Sequence, residues 1–116
     1  MRLYIAGPMR GYDEYNFPAF DAAAKALRRA GHHAVNPAEL DRHSGIHEFT
    51  DPLPDGFFRE AMKRDCVAIC ECDGIALLPG HEDSAGVKVE WTLASFLGLD
   101  IRPVEEWIPH KTSLDG

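Results

Sequence analysis

Four short apolar runs, each bounded by glycine or proline, restrict this chain more than any other feature. They are residues 2–6, running into Gly7-Pro8; 33–35, closed by Asn36-Pro37; 73–78, broken by Pro79-Gly80; and 99–104, opening after Gly98. Runs of this length, cut off this abruptly, suit buried strands rather than helices. Between them apolar residues recur at steps of three and four, as on one face of a helix. Phe17, Phe20, Ala24 and Leu27 form one such stripe, with Asn16 as a cap, Pro18 in the first turn and Gly31 as the stop. Residues 57–72 and 84–97 carry two more, and residues 38–40 suit a single helical turn. Strands alternating with helices predict a parallel sheet covered on both faces, with right-handed crossovers. The expected fold is therefore α/β: a single-domain, flavodoxin- or Rossmann-like three-layer sandwich of four parallel strands, or five. The domain is expected over residues 1–104, followed by a polar, frayed tail over 105–116 from which Trp107 and Ile108 can pack back.

Two of the helical stripes contain a carboxylate where the pattern calls for an apolar side chain. Glu90 lies three residues after Val87 and four before Ala94, with Leu97 completing the row. Asp65 lies three after Met62 and four before Ile69, in a row that starts at Phe58 and ends at Cys72. An inward carboxylate must be paired, hydrogen-bonded or chemically employed, since burying it uncompensated costs several kcal/mol or more. Two of them on neighbouring helices suit acid/base or covalent catalysis. The plainer alternative is two boundary residues, one capping a loop and one bound to an arginine.

Composition narrows the function classes. At 116 residues and 45% hydrophobic content, the chain suits one compact core. A net charge of −7 opposes a broad nucleic-acid surface, although a helix N-terminus can still hold a small anion. There is no apolar run long enough to span a membrane, and residues 1–8 do not resemble a signal peptide, so a cytoplasmic location is expected. Cys66, Cys70 and Cys72 crowd one helix and its end, which suits reduced, core-lining thiols. His43 and His47, with Glu48 and Asp51 nearby, are spaced for a metal but lie in a Ser-, Gly- and Pro-rich loop over 41–56, so no metal and no cofactor are expected. That loop is long enough to suspect a functional or mobile segment.

Ligands of open parallel sheets bind outside the carboxyl ends of the strands. The loops there are residues 7–15 and 79–84, so the candidate site gathers at that edge. Ser84 is suited to cap the helix that follows, leaving the amides of Ala85, Gly86 and Val87 for an anion, and Gly86 permits close approach. Glu82 and Asp83 oppose this unless they point outward. Tyr4, on the face of the first strand opposite Leu3 and Ile5, is placed to donate a hydrogen bond to a buried glutamate and hold it ionised.

These pieces together resemble the nucleoside 2-deoxyribosyltransferase-like superfamily, which includes 2'-deoxynucleoside 5'-phosphate N-hydrolases and a phage and bacterial family of unknown function. The matching segments are Leu3-Tyr4-Ile-Ala-Gly7-Pro8-Met9-Arg10-Gly, the Asp65 helix leading into Asp73-Gly-Ile-Ala-Leu-Leu, and Ser84-Ala85-Gly86-Val-Lys-Val-Glu90, spanning residues 3 to about 102. Asn16-Phe-Pro-Ala-Phe20 and Asn36-Pro-Ala-Glu-Leu40 resemble the family of unknown function in particular. The resemblance implies that Glu90 is the nucleophile at the sugar C1', that Asp65 helps protonate the departing base, and that Tyr4 orients Glu90. It implies that Gly7, Pro8, Met9, Arg10, Asp73, Ser84, Ala85 and Gly86 contact the substrate. Serine six residues before the glutamate implies a nucleotide 5'-monophosphate rather than a free nucleoside. It also implies a homodimer, joined through the exposed sides of the Asp65 and Glu90 helices, while the charge and the lack of a spanning apolar run leave no nucleic-acid polymer and no membrane as expected partner.

Three functions follow as expectations. The first is an N-glycosidase that cleaves the base–sugar bond of a (deoxy)nucleotide 5'-monophosphate through a glycosyl-glutamate, with burial keeping Asp65 protonated as the acid. The second is a non-catalytic nucleotide-binding protein, and the third a transferase that moves the sugar to another base. Two inward carboxylates are costly for a binder to keep, which favours an enzyme.

Overall fold

The computed structural model describes residues 1–109. Strand β1 (Arg2–Ala6) leads through a 3-10 turn (Asp13–Asn16) into helix α1 (Phe17–Arg29), then β2 (His33–Val35) and α2 (Pro37–His43). After a loop come α3 (Phe57–Cys70), β3 (Gly74–Leu77), a 3-10 turn (His81–Asp83), α4 (Ala85–Phe96), β4 (Asp100–Pro103) and a last 3-10 turn (Val104–Trp107). The four strands are parallel in the order β2-β1-β3-β4, with Tyr4 paired to Val35 on one side and Ile75 on the other. This is the order of the first four strands of a flavodoxin-like sheet.

Strict alternation along β1 builds the layers. Leu3 and Ile5 face α1 and pack with Phe17, Phe20, Ala24, Leu27, Ala76 and Leu78. Tyr4 and Ala6 face the other way, among Ile69, Ile75, Val87 and Ala94 from α3, β3 and α4. The sheet is thus covered on both faces, as the alternation of elements predicts. Trp107 also packs back: it is buried against the α1 face, and its Nε1 donates to the Ile75 carbonyl at 2.9 Å. A Cβ at Gly74 would stand 2.9 Å from both the Trp107 ring and the Asp100 carbonyl oxygen, so only glycine admits that close packing. The frayed tail expected over 105–116 falls, from residue 110 onward, outside the described residues.

Several local expectations change. Asn16 does not cap α1 with its side chain: it sits in the left-handed region at φ 61° and its amide donates to the Pro8 carbonyl at 2.9 Å, tying the loop after β1 to the helix start. Asn36 is the capping asparagine instead, accepting from the Ala38 amide, and α2 extends past the single expected turn to include Asp41. Only the second half of the α3 stripe is core. Asp65, Ile69 and Cys72 are buried, whereas Phe58 is 48% exposed, because the first turns of α3 border a cavity rather than the sheet. Leu97 lies beyond the end of α4 and is exposed. Of the three thiols only Cys72 lines the core; Cys66 is half-buried and Cys70 exposed, since residues 66 and 70 fall on the outward side of α3.

Candidate functional site

A cavity of about 710 Å³ opens outside the carboxyl ends of β1 and β3, where the chain crosses from one side of the sheet to the other. Gly7, Pro8, Met9 and Arg10 form one wall, from the loop after β1. Ser84, Ala85, Gly86 and Glu90 form a second, from the start of α4, and Phe57, Phe58, Met62 and Asp65 a third, from α3. Tyr4 reaches this site from below: its ring is buried in the sheet and its hydroxyl donates to Glu90 Oε2 at 2.7 Å. Strand β1 with the loop after it, and two helices remote in sequence, therefore bring ten of the eleven residues singled out above to one place.

Asp73 is the exception. It precedes β3, where Oδ2 accepts from the Arg2 amide at 2.8 Å. The length of the strand, roughly 13 Å, separates it from the cavity, so it fastens two strand starts and cannot contact a ligand there.

Ser84 caps α4 as expected, but the cap uses part of the anion cradle. Its Oγ accepts from the Val87 amide at 3.2 Å, so Val87 is not free for a ligand. Ala85 and Gly86 both line the cavity, and first-turn amides have no partner within their helix. At Gly86 a Cβ would meet only Ser84 Oγ and Met62 Cε, at 3.8 and 3.9 Å. The protein's own packing would tolerate a side chain there, so glycine keeps space on the cavity side. Asp83 also lines the cavity, which limits how much negative charge that end can take. Arg10 brings the opposite charge, its guanidinium lying 3.7 Å above the centre of the Phe58 ring.

The two carboxylates are buried, with 8% of Asp65 and 7% of Glu90 exposed. Burial pushes Glu90 up to about 8; the hydrogen bond from Tyr4 and the charge of Arg64 oppose this, and the Asp65 charge adds to it. Burial also raises Asp65, against the attraction of Arg64. The Tyr4 phenol rises well above its ordinary value, first through burial and then through the charges of Glu90 and Asp65, so it remains a donor. The hydrogen bond from Tyr4 favours the ionised form of Glu90, as expected, but desolvation outweighs it and the net shift is upward.

Two charged residues that the sequence did not single out, Arg64 and Asp41, also line the cavity. Arg64 donates from Nε to Asp65 Oδ1 at 3.0 Å, with Nη2 at 2.9 Å from the same oxygen, and its Nη1 lies 2.9 Å from Asp41 Oδ1. That last pair is a charge contact without hydrogen-bond alignment, so Asp41 Oδ1 is buried with no aligned donor among the described residues. Adjacent helix positions do not normally face one another, which hid Arg64 beside Asp65. Asp41 was masked by its place at the head of a loop-like segment. The same segment supplies Ile46 and Leu53 to the cavity and is tied down by a hydrogen bond from the Tyr15 hydroxyl to the Thr50 carbonyl.

Among the described residues no group of three or more His, Cys, Asp or Glu is placed to hold a metal, and no helix is long and apolar enough to cross a membrane. No curated protein matches the chain in sequence. The model of one family, the domain of unknown function DUF4406, matches residues 1–102. The chain, with this parallel sheet and this carboxylate-lined cavity, belongs to the DUF4406 family.

Proposed function

We propose that the chain is an N-glycosidase that cleaves the base–sugar bond of a (deoxy)nucleotide 5'-monophosphate. The observation that carries this reading is the Tyr4–Glu90 hydrogen bond at 2.7 Å, in a cavity that Asp65 also lines. As the superfamily resemblance implies, the Glu90 carboxylate forms a bond to C1' while the C1'–N bond breaks. The electron pair leaves with the base, and Asp65 donates the proton that neutralises it. Water then cleaves the glycosyl ester, returning Glu90 and leaving the proton on Asp65. The reactive form therefore has its proton on Asp65 and not on Glu90. The developing positive charge of the sugar favours an ionised Glu90 in the transition state. Tyr4 fixes which Glu90 oxygen is held and leaves the other for C1'. Ala85, Gly86 and Arg10 supply the donors for the 5'-phosphate.

The outward sides of α3 and α4 expose Val67, Val89, Trp91 and Phe96, which supports a homodimer formed through these helices. The exposed Cys70 thiol suits a reducing, cytoplasmic setting.

The test is incubation with ribo- and deoxyribonucleotide 5'-monophosphates, read by chromatography for released base, beside Glu90→Ala. Release by the wild type alone establishes the glycosidase. Nucleotide binding without release moves the chain to the binder class, and incorporation of an added free base moves it to the transferases.

A further inference from the structure

Asp41 is the third buried carboxylate around this cavity, and the reaction above gives it no role. Its side chain is 3% exposed, more deeply buried than Asp65. Burial raises its proton affinity and Arg64 opposes that. A carboxylate this dry is expensive to keep unless its charge is used. Its nearest cationic group is the Arg64 guanidinium, which stands 2.9 Å from Asp41 on one side and 2.9 Å from Asp65 on the other. One positive charge is thus divided between two acids on different elements, α2 and α3.

The division matters for Asp65. An arginine engaged with a single carboxylate holds it firmly ionised, commonly by one to three pKa units, and an Asp65 so held could not give a proton to a departing base. The groups around Asp65 are Tyr4 from β1, Asp41 from α2, Arg64 and Cys66 from α3, and Glu90 from α4. Arg64 alone among them carries positive charge. We propose, building on the glycosidase reading, that Asp41 is a positioning residue that shares the Arg64 charge with Asp65 and so lets Asp65 carry the proton for the leaving base. Arg64 orients Asp65 by gripping Oδ1, and the Asp41 charge offsets part of the guanidinium's.

The test is an NMR titration of the Asp65 side-chain carboxyl in the wild type, Asp41→Asn and Arg64→Gln, beside the pH profile of base release. Asp41→Asn removes a repelling charge and leaves Arg64 to Asp65, so Asp65 should titrate about one unit lower. Arg64→Gln removes the cation, so Asp65 should titrate about one unit higher. A purely structural role would not move the two variants in opposite directions. Because release needs a protonated Asp65, Asp41→Asn should release base about tenfold more slowly than wild type at a pH above the titration of both carboxyls. Asp41→Ser, also neutral and smaller, replaces Asp41→Asn if the amide does not fold. An Asp65 titration that is unchanged or raised when Asp41 is neutral overturns the proposal, even in an active enzyme. Wild type that releases no base defeats the glycosidase reading and the proton-donor role with it, while the titrations still decide whether Asp41 shares Arg64.

Discussion

The two faces of the sheet start from adjacent residues and end as different materials. On the α1 face, Leu3 and Ile5 meet Phe17, Phe20 and Leu27, and the side chains packed on the strand there are apolar. On the α3/α4 face, Tyr4 sits between them on the strand and meets Glu90 through its hydroxyl, with Asp65 and Arg64 close by. A strand turns successive side chains to opposite faces, so one residue of offset separates a dry core from a titratable site. The first face contributes by excluding water. The second gives up some of that stability to keep carboxylates where apolar side chains would pack better.

Substitutions can break this comparison, and the largest effect belongs to the apolar face. Phe20→Ala should cost about 3–5 kcal/mol of unfolding free energy in urea while each folded molecule still releases base at the wild-type rate. A smaller loss, or one accompanied by lost activity, would mean that the two faces are not separable.

The next effect is electrostatic and has the opposite sign. Folded Glu90 holds its proton to about 8, against an ordinary value of 4.5. Between those values the folded chain binds the extra proton and the unfolded chain does not, so Glu90 makes wild-type stability fall as pH rises. Glu90→Gln cannot lose that proton. It should therefore be flatter over this range and more stable than wild type at pH 8 and above, by on the order of 2 kcal/mol. Parallel stability–pH curves for the two proteins would show that Glu90 is not buried at the expense of its charge.

The smallest effect sharpens the boundary between scaffold and site. Gly86→Ala should stabilise α4 by about 0.5–1 kcal/mol, because the methyl group meets no close protein neighbour. The same methyl group enters the cavity, so nucleotide affinity should fall, as calorimetry would show. Unchanged affinity would place the ligand elsewhere.

The sequence made the two faces legible to different depths. Periodicity along residues 2–6 and 17–27 placed the apolar face residue by residue, because burial and spacing carry the same message there. Periodicity also marked Asp65 and Glu90, as interruptions of their stripes, and the glycine- and proline-rich strand ends marked the edge where the cavity lies. It placed Tyr4 beside a buried glutamate but did not single out Arg64 or Asp41. Arg64 reaches Asp65 from the adjacent position through a long side chain, and Asp41 arrives from α2, more than twenty residues earlier. Neither contact has a fixed spacing. The upward shift of Glu90 was likewise out of reach, since it depends on how dry the site is rather than on which residues form it. Asp73 shows the reverse error: it lies in a matching segment, but at the wrong end of its strand.

The most direct test of this account is base release by Glu90→Gln, measured at pH 8 against the wild type on the same panel of nucleotide 5'-monophosphates. The amide oxygen can still accept from Tyr4, and the shape of the site is kept, so only the carboxylate chemistry is removed. The account predicts a folded variant whose base release falls by about a thousandfold or more. Release near the wild-type rate would show that Glu90 is not the residue that attacks the sugar.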